Sequence, residues 1–295
     1  PQHACERGRH APACRASCSC KSCCATQRAQ VAAAAAAAYK PLFYDNDFSY
    51  LSNSLYSEWW PGDALKDRCV GGVVQFDVGG QYRWRYQNEQ NIRGLGLTGN
   101  DDDFSLDRTR LFANVRVGEG LRFYAAMRDA VSRHGYFAPR PSEAHRFGPL
   151  TLFIDAPMLD FGDATLSGRV GRQELLYGAQ RAVSPLDWAN TRRTFDGGKL
   201  MWSGPDWEID GFWMRPVFPT AQSFDNPITS QQFYGIYSTC KALESDTLEV
   251  YWLAFDNEVN GFRADSVGGR YLGDLGEGWQ YEFWGNYQFG TDTND

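Results

Sequence analysis

Hydrophobic and polar residues alternate strictly early in the chain. Val74, Phe76, Val78, Tyr82, Trp84 and Tyr86 lie on one side of the alternation, and Gln75, Asp77, Gln81, Arg83, Arg85 and Gln87 on the other. A period of two predicts a strand with one apolar and one polar face. This strand is longer than usual and long enough to cross a bilayer when tilted. Over 106–117, Thr109, Leu111, Ala113, Val115 and Val117 oppose Arg108, Arg110, Asn114 and Arg116. Over 121–131, Leu121, Phe123, Ala125 and Met127 oppose Arg122, Tyr124 and Arg128. Three successive strands therefore set arginine against an apolar stripe. Weaker strands are predicted at 150–158, 164–177, 194–203, 206–217, 231–241, 247–256 and 265–273. A strong one closes the series, with Trp279, Tyr281, Phe283, Tyr287 and Phe289 opposite Gln280, Glu282, Asn286 and Gln288. Arg169 opposes Leu166 and Val170, which turns Arg172 to the apolar side unless Gly171 carries a bulge.

The connections point to the architecture. Short turns are expected at 118–120, 160–163, 203–206, 242–246 and 274–277. They alternate with long links at 88–104, 132–149, 178–193, 216–230 and a shorter 257–264. An outer-membrane barrel has tight turns at one end and long loops at the other, whereas a Greek-key sandwich scatters its long connections over both ends. The pattern predicts an all-β, antiparallel, transmembrane up-and-down β-barrel. Its N-terminus would be periplasmic, and 178–193 an outer loop or one folded into the lumen. The eleven predicted strands are an odd number, and a barrel must close, so closing strands are expected beyond this stretch.

Composition narrows the partners. The net charge of −7 argues against nucleic acid. Of the 29 Lys and Arg residues, 24 are arginine, and 17 of those lie between positions 83 and 215. Arginine used so heavily suits fixed, partly enclosed contacts. No apolar run is long enough for a membrane helix, but barrel strands never raise the average. The stretch 171–196 sets Arg172, Arg181, Arg192 and Arg193 beside Glu174, Asp187 and Asp196, with Tyr177 and Trp188 between them. Guanidinium forks and ring faces suit an acidic sugar polymer; a self-paired solvated loop is the bland alternative.

The first 24 residues hold Cys5, Cys14, Cys18, Cys20, Cys23 and Cys24, while Cys69 and Cys240 stand alone. The spacing fits a disulfide knot better than a metal site. Residues 1–40 read as a cysteine- and alanine-rich tail or linker, with Ala32–Ala38 either a weak signal-peptide core or a short helix. Residues 41–72 read as a periplasmic lead-in, and 73–295 as the barrel. Asp45 and Asp47 lack the rest of a calcium loop. No metal and no cofactor are expected.

Five segments carry a resemblance: FDVGGQYRWRY at 76–86, RGLGLTGNDDDF at 93–104, RTRLF at 108–112, RVGRQELLYG at 169–178 and SPLDWANTRRTFDG at 184–197. Together they resemble the alginate-export family over about residues 40–290. That resemblance implies an outer-membrane barrel of roughly eighteen strands, with an arginine-lined lumen conducting a polyuronate. The carry-over is direct for Arg83, Arg85, Arg108 and Arg110, and extends to Arg169, Arg172, Arg192 and Arg193. The cysteine-rich tail departs from the family pattern.

The expected lumen path comprises Arg83, Arg85, Arg108, Arg110, Arg116, Arg122, Arg128, Arg169, Arg172, Glu174, Arg181, Asp187, Arg192, Arg193, Asp196 and Lys199. The expected partners are an anionic polysaccharide, outer-membrane lipid and periplasmic export proteins. A glycosidase needs two carboxyls at a fixed separation. Asp101, Asp102 and Asp103, or Glu174 with Asp187, are the candidates, but the triple Asp reads as solvated turn chemistry and the four histidines have no triad or metal spacing, so no enzyme activity is expected. The remaining alternative is a soluble or surface carbohydrate-binding β-sandwich.

Overall fold

The computed structural model describes residues 21–91, 99–118, 120–220, 224–243 and 245–291, with side chains from 26 onward. Most of the cysteine cluster and the glycine-rich stretch 92–98 therefore lie outside the described residues. An α-helix, α1 (Lys21–Ala36), takes in most of the alanine run, as the high helix propensity of alanine favours. Three short 3₁₀ turns follow, at Phe43–Asp45, Ser49–Ser52 and Asp63–Leu65.

The rest is strand: β1 (Arg68–Val70), β2 (Val74–Glu89), β3 (Asp102–Val117), β4 (Leu121–Arg133), β5 (His145–Asp160), β6 (Thr165–Gln173), β7 (Thr194–Ser203), β8 (Trp207–Val217), β9 (Gln231–Cys240), β10 (Thr247–Asn257), β11 (Phe262–Gly276) and β12 (Trp279–Thr291). All twelve form one sheet in the order β1 to β12. No strand is skipped, as a Greek key would require. The fold is all-β and up-and-down, as a membrane barrel wall is.

The eleven predicted strands each appear, and β1 adds a twelfth. It is too short to show a period, and is held by Arg68 opposite Phe76 and Val70 opposite Val74. Alternation of turn lengths fails at one point: the link 258–261 is shorter than 241–246, because β10 and β11 stay paired as far as Asn257 opposite Phe262. Nor does Gly171 carry a bulge. The ladder runs regularly through Phe153, Gly171 and Gly197, and the irregularity lies between Pro157 and Leu159.

The chain forms two compact units, residues 1–81 with 110–126, and residues 82–109 with 127–295. In the first, Asp77 is a buried hub. It accepts hydrogen bonds from the Asp67 amide at 2.8 Å and from Asn114 Nδ2 at 2.8 Å, and pairs with Arg116 at 3.4 Å. Phe112 stacks on Tyr124, and Phe43 and Tyr44 meet those two rings edge-on. Gly79 has no side chain because a Cβ there would stand 2.7 Å from the Phe112 ring.

In the second unit the register fixes the faces of β6 to β11. Arg169, Lys199 and Phe212 align on one, while Val170, Gly198 and Trp213 align on the other. The second face exposes Val170, Leu200, Trp213, Ile236, Val250 and Val267. Such a continuous apolar surface signals contact with an apolar medium or partner. The first face holds a buried cluster of Leu175, Val183, Phe195, Phe212, Met214, Tyr237, Tyr251 and Leu253.

Candidate functional site

Residues 174–193 connect β6 to β7 and contribute Leu175 and Val183 to the buried cluster of the second unit. The strand reading of 164–177 ran too far: β6 ends at Gln173. Glu174 then leaves the ladder to meet Arg192, and Leu175 enters the buried cluster. Leu186 and Arg192 take left-handed backbone angles, at φ 53° and 59°. Arginine and leucine reach that region only under constraint from their surroundings. Asn190, fully buried, supplies part of it. Its Nδ2 donates to the carbonyls of Asp107 at 2.9 Å and Glu143 at 3.0 Å, and its amide donates to Ser142 O at 2.8 Å.

Around this segment the arginines of β2, β3 and β4 converge. Arg83 donates to Asp187 O at 2.7 Å, Arg85 to Trp188 O at 2.7 Å and Arg108 to Ala189 O at 3.3 Å. Arg128 donates to Thr191 O. Four guanidiniums thus bind the carbonyls of 187, 188, 189 and 191, and Asn190 between them is held through its side chain and amide.

Asp187 is the shared counter-charge. Its carboxylate lies 2.9 Å from Arg108, 3.6 Å from Arg83 and in direct contact with Arg192, yet its side chain is 56% exposed. Burial alone would raise its pKa, but Arg192, Arg108 and Arg83 outweigh it and hold the group below the usual carboxylate range. Arg192 is also bound by Glu174, both being almost fully buried.

A second buried carboxylate fastens the neighbouring loop. Asp225 Oδ1 lies 2.8 Å from Nε2 of the fully buried His145 and accepts the Thr220 amide at 2.7 Å. Its Oδ2 is 3.3 Å from Arg128, and its carbonyl accepts from Arg172 at 2.9 Å. Burial pushes the Asp225 pKa up, but the His145 and Thr220 hydrogen bonds, with Arg128, bring it below its ordinary value.

The remaining predicted residues are dispersed. Arg169 pairs with Asp155 at 2.6 Å, Lys199 with Asp210 at 2.9 Å and Arg181 with Glu282 at 2.9 Å. Arg172 forms a two-pronged pair with Asp196, at 2.8 and 2.9 Å. Its register sets both on the face of Val170 and Trp213, opposite Arg169. Arg110, Arg116 and Arg122 belong to the first unit. There, Arg110 lies over the Phe43 ring at 3.8 Å, and Arg122 donates to Asn114 at 2.8 Å. Arg193 is exposed and has no ion-pair partner among the described residues.

His145, Asn190 and Asp225 were missed from the sequence. Their side-chain partners and the carbonyls they bind lie 47 to 97 positions away, a separation that leaves no local motif; the Thr220 amide beside Asp225 is the near exception. Of the isolated cysteines, Cys69 is disulfide-bonded and Cys240 is a buried free thiol.

No curated protein matches the chain. The family model described as Alginate export matches residues 74–295, which takes in every strand from β2 onward. Its members are outer-membrane proteins that export polysaccharide; it is a transport family and not an enzyme family. With the unbroken up-and-down sheet, that match makes this chain a member of the alginate-export family.

Proposed function

We propose that the chain conducts an anionic polysaccharide, an alginate-like polyuronate, past the arginine-bearing face of its sheet. The carrying observation is the charge balance around residues 187–191. Arg83, Arg85, Arg108 and Arg192 gather there, against Asp187 and Glu174 as the carboxylates paired with them. Arg83 and Arg85 are half-buried and donate to neutral carbonyls, contacts for which a passing anion can compete. At an effective dielectric near 20, unit charges 4 Å apart attract by about 4 kcal/mol. Confinement lets this local field prevail over the net charge of −7.

Asp187 supports turnover as well as capture. An exposed carboxylate among three arginines occupies the position a uronate carboxylate would take. Exchange between the two keeps binding weak enough for release, which conduction requires. In this reading Trp84, Leu111 and Phe123, exposed on the opposite face, meet lipid. Residues 41–72 lie on the periplasmic side, where export proteins would dock.

The filter is narrower than the sequence alone implied. Arg108 and Arg128 are buried and hold the segment in place, which leaves Arg83 and Arg85 to meet the polymer. The test is the reversal potential of the reconstituted protein in a tenfold salt gradient. Wild type should prefer anions, and Arg83→Gln with Arg85→Gln should move the potential toward cations and weaken block by oligouronates. A wild-type preference for cations, or a double variant with unchanged selectivity, overturns the proposal.

A further inference from the structure

A cavity of about 990 Å³ lies in the second unit between residues 140–142, residues 182–193, residues 216–219 with Ile228, and the ends of β7, β9 and β10. Its size is at the upper end of small-molecule sites. Phe195, Phe233, Phe255, Val183, Ile228 and Trp188 are prominent in its wall. These side chains offer few hydrogen bonds, so a sugar ring would strand its hydroxyls there. An apolar body suits the cavity better.

Three arginines also line it: Arg140, Arg192 and Arg193. Two are committed. Arg140 pairs with Glu89 and Glu143, and Arg192 with Glu174 and Asp187. Arg193 has no carboxylate partner among the described residues. Its backbone is fixed, because its amide donates to Pro185 O at 2.8 Å. The neighbouring Asn190 hydrogen bonds hold the adjoining wall. The cavity is therefore preformed and carries one uncompensated guanidinium. A ligand with an apolar body and a single anionic head satisfies both features.

We infer that this cavity is a binding site for a small amphiphilic carboxylate, its apolar body against Phe195, Phe233 and Phe255 and its carboxylate on Arg193. The site is separate from the Arg83 and Arg85 filter and does not depend on that reading. Occupancy would place a ligand against 182–193, the same segment whose carbonyls the filter arginines hold.

Calorimetric titration of 2-naphthoate into the full chain in nanodiscs tests this, with empty nanodiscs as the blank. Saturable one-to-one binding is expected above the blank. Arg193→Gln should weaken it about tenfold, as loss of a charge-assisted contact does. The neutral 2-naphthamide should bind wild type and Arg193→Gln equally. Val183→Trp, which fills the cavity from its apolar wall, should abolish binding of both probes. Heat-modifiable gel mobility verifies that each variant is folded. Should Val183→Trp fail to fold, the Arg193→Gln comparison decides alone. Naphthoate binding that matches the blank, or that Arg193→Gln leaves unchanged, overturns the inference.

Discussion

Two sides of the segment 174–193 make opposite kinds of contact. Toward β2, β3 and β4 it presents carbonyls and Asp187, and these strands answer with Arg83, Arg85, Arg108 and Arg128. Toward β7 to β10 it presents Leu175, Tyr177 and Val183, which pack on Phe195, Phe212, Met214, Tyr237, Tyr251 and Leu253. Tyr177 stacks on Tyr237 at 4.5 Å, and Tyr237 on Tyr251 at 5.4 Å. The same period of two builds both walls, yet one is charged and the other apolar. What differs is the work each does. The apolar wall supplies stability, since each large apolar side chain buried contributes about 1.5–3 kcal/mol. The arginine wall supplies position, through directional hydrogen bonds to named carbonyls.

Arginine-side contacts should be the most costly to break. Arg192 and Glu174 are each about 1% exposed. Arg192→Met leaves a buried carboxylate without its partner, at a cost of about 3–5 kcal/mol. The temperature at which the heat-modifiable gel shift disappears should fall clearly. Adding Glu174→Leu should restore most of the loss, because removing both members of a buried pair is often nearly neutral. If the double variant is as unstable as the single one, the pair is not what positions Arg192.

On the apolar side, Leu253→Ala should cost about 3 kcal/mol, the usual price of a cavity in a packed core. The two changes also separate the walls by their electrical effect. Leu253→Ala should lower stability while leaving reversal potential unchanged, whereas Arg192→Met should alter both. Equal effects on selectivity would mean that the walls do not divide stability from position as described.

How much of this was legible beforehand follows from the range of each interaction. The parities of β2, β3 and β4 were, because alternation lies within a single strand. Arg83, Arg108 and Arg128 could therefore be assigned to a polar face without coordinates. Arg172 could not be assigned: the sequence left open a bulge at Gly171, and only the pairing of Arg172 with Asp196 shows the ladder to be regular. The departure of Glu174 from the strand was also hidden. Leu175 and Tyr177 share the parity of Arg169 rather than that of Leu166 and Val170, so the register was already uncertain there, and the backbone leaves the ladder because Arg192 and the buried cluster hold it elsewhere. Most of all, no local pattern signalled that the arginines would bind the chain's own carbonyls, a relationship between residues 63 to 106 positions apart.

The smallest effect expected is that of pH on Asp187, and it probes the arginine side without altering packing. Its pKa is depressed in the folded chain, chiefly because Arg192, Arg108 and Arg83 outweigh its burial. A depressed carboxylate contributes stability that is fully present above its unfolded value, near 3.9, and is lost as pH falls through the lower folded value. Thermal stability should therefore be insensitive to this group from pH 8 to about 5 and decline only below about 4. Because Asp187 is more than half exposed, solvent and salt screen the interaction, and its contribution should be about 1 kcal/mol or less. Asp187→Asn removes the charge at every pH. The variant should be slightly less stable than wild type at pH 7, and the two curves should converge in acid, once wild type is protonated too. The gap at pH 7 should narrow as salt is added. Parallel curves with no convergence in acid would assign the stabilisation to the backbone carbonyls of 187–191 alone, and leave Asp187 as a ligand-exchange group with no part in holding the segment.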